Sequence, residues 1–224
     1  MPAESDRQQE RVLQTPAAGP ALRYLLYLPD GMGDAPTQRW PLVLFLHGAG
    51  ERGSNLDLVK LHGIPHEIEA GKNLPCVVVS PQCPADARWS TDALIALLDS
   101  VEHELPIDPD RRYVTGMSMG GYAAWALAVS QPDRFAAIAP VCGGGAPDTV
   151  CAIRHVPVWA FHGALDDVVP LRRSEEMVEA LRACGGDVQF TVYPGLGHDS
   201  WTLTYANPDV YRWLLAQART DRPE

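Results

Sequence analysis

The chain has 224 residues, 46% of them hydrophobic and 21% charged, the balance of a globular domain rather than of a disordered or fibrous chain. A formal net charge of −10 with no basic cluster excludes nucleic acid as an expected partner. No apolar run reaches the ~18 residues of a spanning helix, and Met1 to Gln14 lacks the apolar core of a secretory leader, so no membrane partner is expected. Five cysteines (Cys76, Cys83, Cys142, Cys151, Cys184) form no C-x-x-C pair in a chain large enough to need no disulfides; unpaired thiols and a cytoplasmic location are the expectation. No heptad seam marks an oligomer interface.

In chain order, residues 1–20 read as a loosely held arm and residues 21–219 as one domain. Strands are predicted at residues 22–28, 42–46, 77–80, 112–115, 137–140, 158–161 and 188–193. Most are continuous apolar runs, the mark of strands buried on both faces. Apolar residues at three- and four-residue spacing predict helices over 91–105, 119–130, 171–183 and 210–218, and residues 30–39, with Gly31, Gly33 and Pro36, read as a turn. Strands alternating with helices predict an α/β fold, with a mostly parallel central sheet covered on both faces.

The sharpest motif is Gly116-Met117-Ser118-Met119-Gly120, set between the strand at 112–115 and the helix opening at Met119. At such a strand-to-helix elbow the serine occupies a strained turn, and small residues two before and two after it let strand and helix approach. A phosphate-cradling turn is the alternative, but neither P-loop nor dinucleotide spacing is present. A serine nucleophile needs a base and a group to orient that base. In this architecture both follow the serine in the order acid, then histidine.

The strand at 158–161 runs into His162-Gly-Ala-Leu-Asp166-Asp167, so two adjacent carboxylates stand at a strand's carboxyl end, where sites form in open α/β sheets. The last strand ends in Pro194-Gly-Leu-Gly-His198-Asp199, which presents His198 at the same edge as the general base; Asp199 reads as a loop-capping carboxylate. Two backbone amides are expected to bind the developing oxyanion: Met119, next after the serine, and Ala49, in the loop His47-Gly-Ala-Gly-Glu-Arg-Gly53.

The segments 47–53, 108–121, 162–166 and 193–198 together resemble the phospholipase/carboxylesterase group of α/β-hydrolases, near the dienelactone hydrolases and the feruloyl-esterase and polyhydroxybutyrate-depolymerase-like enzymes. The resemblance spans roughly residues 20 to 218. It implies the α/β-hydrolase fold, a triad of Ser118, Asp166 (rather than Asp167) and His198, and an oxyanion hole flanked by Ala49 and Met119. Dienelactone hydrolases proper are less similar, because they use a cysteine where this chain has Ser118.

The implied activity is hydrolysis of a small-molecule carboxylic ester without a cofactor. Thioester, lysophospholipid or peptide hydrolysis is the runner-up on the same triad, and a catalytically lapsed ligand-binding relative is the alternative from another class. Trp89 and Trp201 are expected either to wall the substrate pocket or to serve ordinary packing. His66-Glu67 and His103-Glu104 lack the second histidine of a zinc helix, since those positions hold Ala70 and Ile107, so no metal site is expected. Only residues 141–157 separate the strand at 137–140 from the next, too short a link for a cap domain.

Overall fold

The computed structural model describes residues 7–13, 21–33 and 37–219. Among them, β1 (Gln8–Leu13), β2 (Leu22–Tyr27), β3 (Trp40–Leu46), β4 (Val77–Pro81), β5 (Ile107–Met117), β6 (Ala137–Val141), β7 (Val158–Gly163) and β8 (Val188–Tyr193) form one sheet in the order β1-β2-β4-β3-β5-β6-β7-β8. The two pairings made by β2 are antiparallel, and every other pairing is parallel. This is the α/β-hydrolase arrangement the motifs imply.

Strand alternation divides the core into two layers. Leu42, Leu44 and Leu46 of β3 point to one face with Val77 and Val79 of β4, where they meet α2 (Thr91–Glu104), α3 (Met119–Ser130) and α4 (Arg172–Ala183). Val43 and Phe45 point to the other face, against α1 (Gly63–Glu69), α5 (Trp201–Ala206) and α6 (Pro208–Ala216). Ser90 caps α2 by accepting from the Ala93 N–H at 3.3 Å, and Asn207, ahead of Pro208, caps α6 through Asp209 N–H at 2.9 Å.

Two expectations are corrected. Gln8–Leu13 is not part of a loose arm: it is an edge strand, paired along its length with β2. Its polar sequence hid it, since an edge strand with four exposed residues has no apolar face to declare. Gln8 is the anchor, its buried amide donating to Pro65 O at 3.1 Å and to Glu69 at 2.7 Å. The rest of the expected arm, residues 1–6 and 14–20, lies outside the described residues, as do residues 34–36 of the turn.

The second correction concerns the thiols. Cys151 and Cys184 form a disulfide that ties the 3₁₀ turn Val150–Ile153 to the end of α4. With its ends 33 residues apart in sequence, the bond restrains the unfolded chain by roughly 3–4 kcal/mol. That turn is the one short helical element between β6 and β7, so no cap covers the sheet's carboxyl edge there.

Candidate active site

The site begins with the elbow at the end of β5. Ser118 sits at φ 53°, ψ −116°, a left-handed backbone that a serine adopts only where its surroundings impose it. Ser118 N–H donates to Val141 O at 3.0 Å, and Tyr122 N–H returns to Ser118 O at 3.1 Å, fixing the turn from both sides. A Cβ on Gly116 would lie 2.6 Å from Leu46 O, so only glycine lets β5, β3 and α3 come this close.

β7 and β8 are parallel neighbours, and their loops therefore leave the sheet at the same edge. Backbone bonds from Ala164 N–H to Tyr193 O and from Leu165 N–H to Leu196 O, both 2.9 Å, lace the two loops together. Asp166 and His198 meet across that lacing: His198 Nδ1 is 2.8 Å from Asp166 Oδ2, and its Nε2 is 2.9 Å from Ser118 Oγ. The carboxylate fixes the tautomer, with Nδ1–H donating to Asp166 and Nε2 left to accept the serine proton.

The other carboxylate oxygen accepts from the N–H groups of Val168 at 3.0 Å and Val169 at 2.8 Å. Burial would raise the Asp166 pKa. The bond from His198, those from Val169 and Val168, and the His198 charge together hold it below the usual carboxylate range. Asp167 is exposed, and Asp199 caps the next helix through Thr202 N–H and Oγ1, both at 3.0 Å.

The loop after β3 packs against the serine: a Cβ on Gly48 would lie 3.6 Å from Ser118 Cβ. Ala49 is exposed on that loop, and its carbonyl accepts from Arg52 Nε at 2.9 Å. Met119 opens α3, where the first N–H groups of a helix have no acceptor within it. Trp89 turns toward this loop, its indole N–H donating to His47 O at 3.1 Å and its ring 4.7 Å from the His47 ring. Trp201 instead stands edge-on to His198, with ring centroids 5.2 Å apart, and also meets His62 at 5.8 Å.

His47 supports the loop from below. It is fully buried, with Nδ1 donating to Gly48 O at 2.6 Å and Nε2 accepting from Cys83 N–H at 3.0 Å. Burial, with a smaller push from Arg52 and against the pull of the Gly48 bond, lowers its pKa to about 4. The unfolded chain binds this proton near pH 6.5 and the folded one only near 4, so stability is lost as pH falls through that window. The expected loss is about 3 kcal/mol, read as a Tm that falls as pH is lowered from about 6.5 to about 4. A His47→Gln variant is expected to flatten that slope, and an unchanged slope would contradict the assignment.

Three groups at the site went unread in the sequence as site residues. His62 borders Trp201, Cys142 lies buried behind the triad, and His162 lies near the end of β7, ahead of the acid loop. Burial pushes the Cys142 thiol up to about 12. Cys142, Asp166 and His198 form the one cluster of three potential metal ligands among the described residues, with donor atoms within 4.8 Å of one another. Two of the three already bond each other, and the thiol is protonated at neutral pH. His162 was in view, as the first residue of His162-Gly-Ala-Leu-Asp166, but nothing in the spacing shows that its ring turns inward.

A family model described as phospholipase/carboxylesterase matches residues 80–206. The chain is similar to a probable feruloyl esterase C of Aspergillus terreus, 25% identical over 83% of this chain and 79% of that one. It is also similar to a poly(3-hydroxyoctanoate) depolymerase of Pseudomonas fluorescens, 29% identical over 73% of this chain and 74% of that one. Among solved structures, a thermostable esterase superposes with a TM-score of 0.85 at 34% identity. The match covers 96% of this chain, which spans 64% of that one.

Proposed function

For a chain that belongs to the phospholipase/carboxylesterase family of α/β-hydrolases, we propose a specific activity: a serine carboxylesterase that hydrolyses short-chain esters through an acyl-serine intermediate. The observation that carries it is the unbroken hydrogen-bonded chain from Ser118 Oγ through His198 to Asp166, with the serine on a strained turn at the sheet's open edge.

His198 Nε2 takes the hydroxyl proton as Ser118 Oγ attacks the ester carbonyl. The amides of Ala49 and Met119 receive the oxyanion, and His198 then returns the proton to the leaving alkoxide. Water repeats the cycle on the acyl-serine. Asp166 keeps the imidazole in the right tautomer and stabilises its charged form. Because a protonated His198 cannot serve as base, activity rises with pH through a single ionisation.

Substrate size follows from the short β6–β7 link. With one brief 3₁₀ turn and no cap there, little apolar wall is available to bury a long acyl chain, and each unburied methylene forgoes ~0.8 kcal/mol of binding. kcat/KM over a nitrophenyl ester series is expected to peak at acyl groups of roughly two to six carbons, with no jump above the critical micelle concentration. A steady climb to twelve or sixteen carbons would overturn the open-cleft reading.

Among the described residues no helix is long and apolar enough to cross a membrane. The cytoplasmic location expected from unpaired thiols loses that support, since structural disulfides persist chiefly in oxidising compartments. Thiol titration of freshly isolated, denatured protein decides it. Three free thiols (Cys76, Cys83, Cys142) are expected outside a reducing cytoplasm, and five within it.

A further inference from the structure

We propose that His162 is a positioning residue of the triad, a second imidazole that holds Asp166 and through it sets the pH at which His198 becomes a competent base. The inference rests on the acyl-serine reading above. His162 is the penultimate residue of β7 and is fully buried. Its Nε2 lies 2.8 Å from Val169 O and 3.1 Å from Asp166 Oδ2. Both neighbours are acceptors, so Nε2 carries a proton.

On the other side of the ring, Nδ1 lies 2.7 Å from Ser174 Oγ, itself 2.7 Å from Gly143 O. The hydroxyl has one proton to give. Donated to Nδ1, it leaves His162 neutral; donated to Gly143 O, it makes His162 an imidazolium beside the Asp166 carboxylate. In both states the positive edge of the ring faces the oxygen that receives the His198 Nδ1–H at 2.8 Å. The same Nε2–H bonds the carbonyl of Val169, whose N–H holds the other carboxylate oxygen. His162 therefore clamps the acid loop and also draws on its charge.

A carboxylate oxygen that accepts from His198 and has a second imidazole N–H in ion-pair contact at 3.1 Å offers less negative potential to His198. The charged form of His198 is then stabilised less than Asp166 alone would stabilise it, and His198 becomes a free base at lower pH. The other groups around this cluster are Cys142 just after β6, Tyr122 from α3, Arg173 and Glu176 from α4, which pair with each other, and Asp199 beside His198. Burial raises the pKa of both Cys142 and Tyr122, keeping them neutral, and the Asp199 carboxylate is turned onto Thr202. Among the described residues, the ion-pair contacts of Asp166 are the two imidazoles.

The sign of one shift separates this role from simple scaffolding. If His162 only held the loop, its loss would pull Asp166 away from His198, and the acid limb of the pH–rate profile would move down. If it shares the charge of Asp166, its loss moves the limb up. The expected result for His162→Phe is a kcat lower by about tenfold, the size of one lost hydrogen bond holding the acid loop, KM within about twofold, and a limb at higher pH. His162→Gln, which keeps an N–H donor, is expected to restore most of both.

His162→Leu, which removes the N–H as His162→Phe does, is expected to move the limb in the same direction; it serves as well if His162→Phe fails to fold. A limb that stays or falls in whichever of these variants folds overturns the proposal. Ser118→Ala is assayed alongside. An active Ser118→Ala overturns the acyl-serine reading itself, whereas an inert one with an unmoved limb overturns the role of His162 alone.

Discussion

Ser118→Ala is expected to lower kcat by roughly five to six orders of magnitude, His198→Ala by nearly as much, and the double variant by no more than either single one. The triad acts as a unit. Without Oγ the proton that His198 would accept does not exist, and without the imidazole Oγ stays a neutral hydroxyl. Asp166→Asn leaves the ring in place but allows the wrong tautomer, at a cost of about 10⁴. None of these side chains is part of the apolar core clusters, so each variant is expected to melt within a few degrees of the wild type. Steady-state turnover with a nitrophenyl ester, beside thermal melts, checks the set. A more damaging Asp167→Asn, or additive losses in the double variant, would refute the assignment of roles.

The second large effect is structural. Gly120→Ala places a Cβ inside the van der Waals envelope of Leu46 O and 2.8 Å from His47 O. Both are backbone atoms of the segment where β3 passes into the loop that bears Ala49, so no side-chain rotation relieves the clash. Either α3 lifts off the sheet or β3 shifts, and the core layer between the sheet and α2, α3 and α4 is disturbed with it. A loss above about 4 kcal/mol is expected, seen as a Tm lower by ten degrees or more, or as insoluble protein. Gly33→Ala is the control: its Cβ meets nothing within 4 Å, and its Tm is expected to stay unchanged. A folded, wild-type-stable Gly120→Ala would mean that the elbow tolerates far more room than this packing allows.

Much of the fold was legible because burial on both faces writes itself into sequence as unbroken apolar runs. β8 and α3 begin and end at the predicted residues, and β2, β4, β6, β7 and α2 differ from prediction by one or two residues at an end. What stayed hidden was held by polar or long-range contacts. β1 is set by edge pairing and by the amide of Gln8, neither of which leaves an apolar signature. α1 and α5 have seven and six residues, too few for a helical period to stand out. Cys151 and Cys184 lie 33 residues apart, and only the fold brings their Cα atoms to 5.8 Å.

The site divides in the same way. Ser118 and His198 were readable because each follows a strand at one edge of the sheet and has glycine beside or near it, whereas Asp166 was readable only as one of two adjacent carboxylates after β7, and the family resemblance chose between them. Trp89 and His162 were not, because what each does depends on which way its ring points. One ring turned out to brace a loop and the other to touch the acid. A side chain's direction is a property of packing, and spacing alone does not carry it.

The most direct test of acyl-serine chemistry is stoichiometric labelling with a fluorophosphonate, read by mass spectrometry of the intact protein and its peptides. The expected result is one adduct per chain on the peptide bearing Ser118, with labelling abolished in His198→Ala, in which the hydroxyl is present but not activated. An adduct on another residue, labelling that survives His198→Ala, or full esterase turnover in unlabelled, probe-treated protein would contradict it.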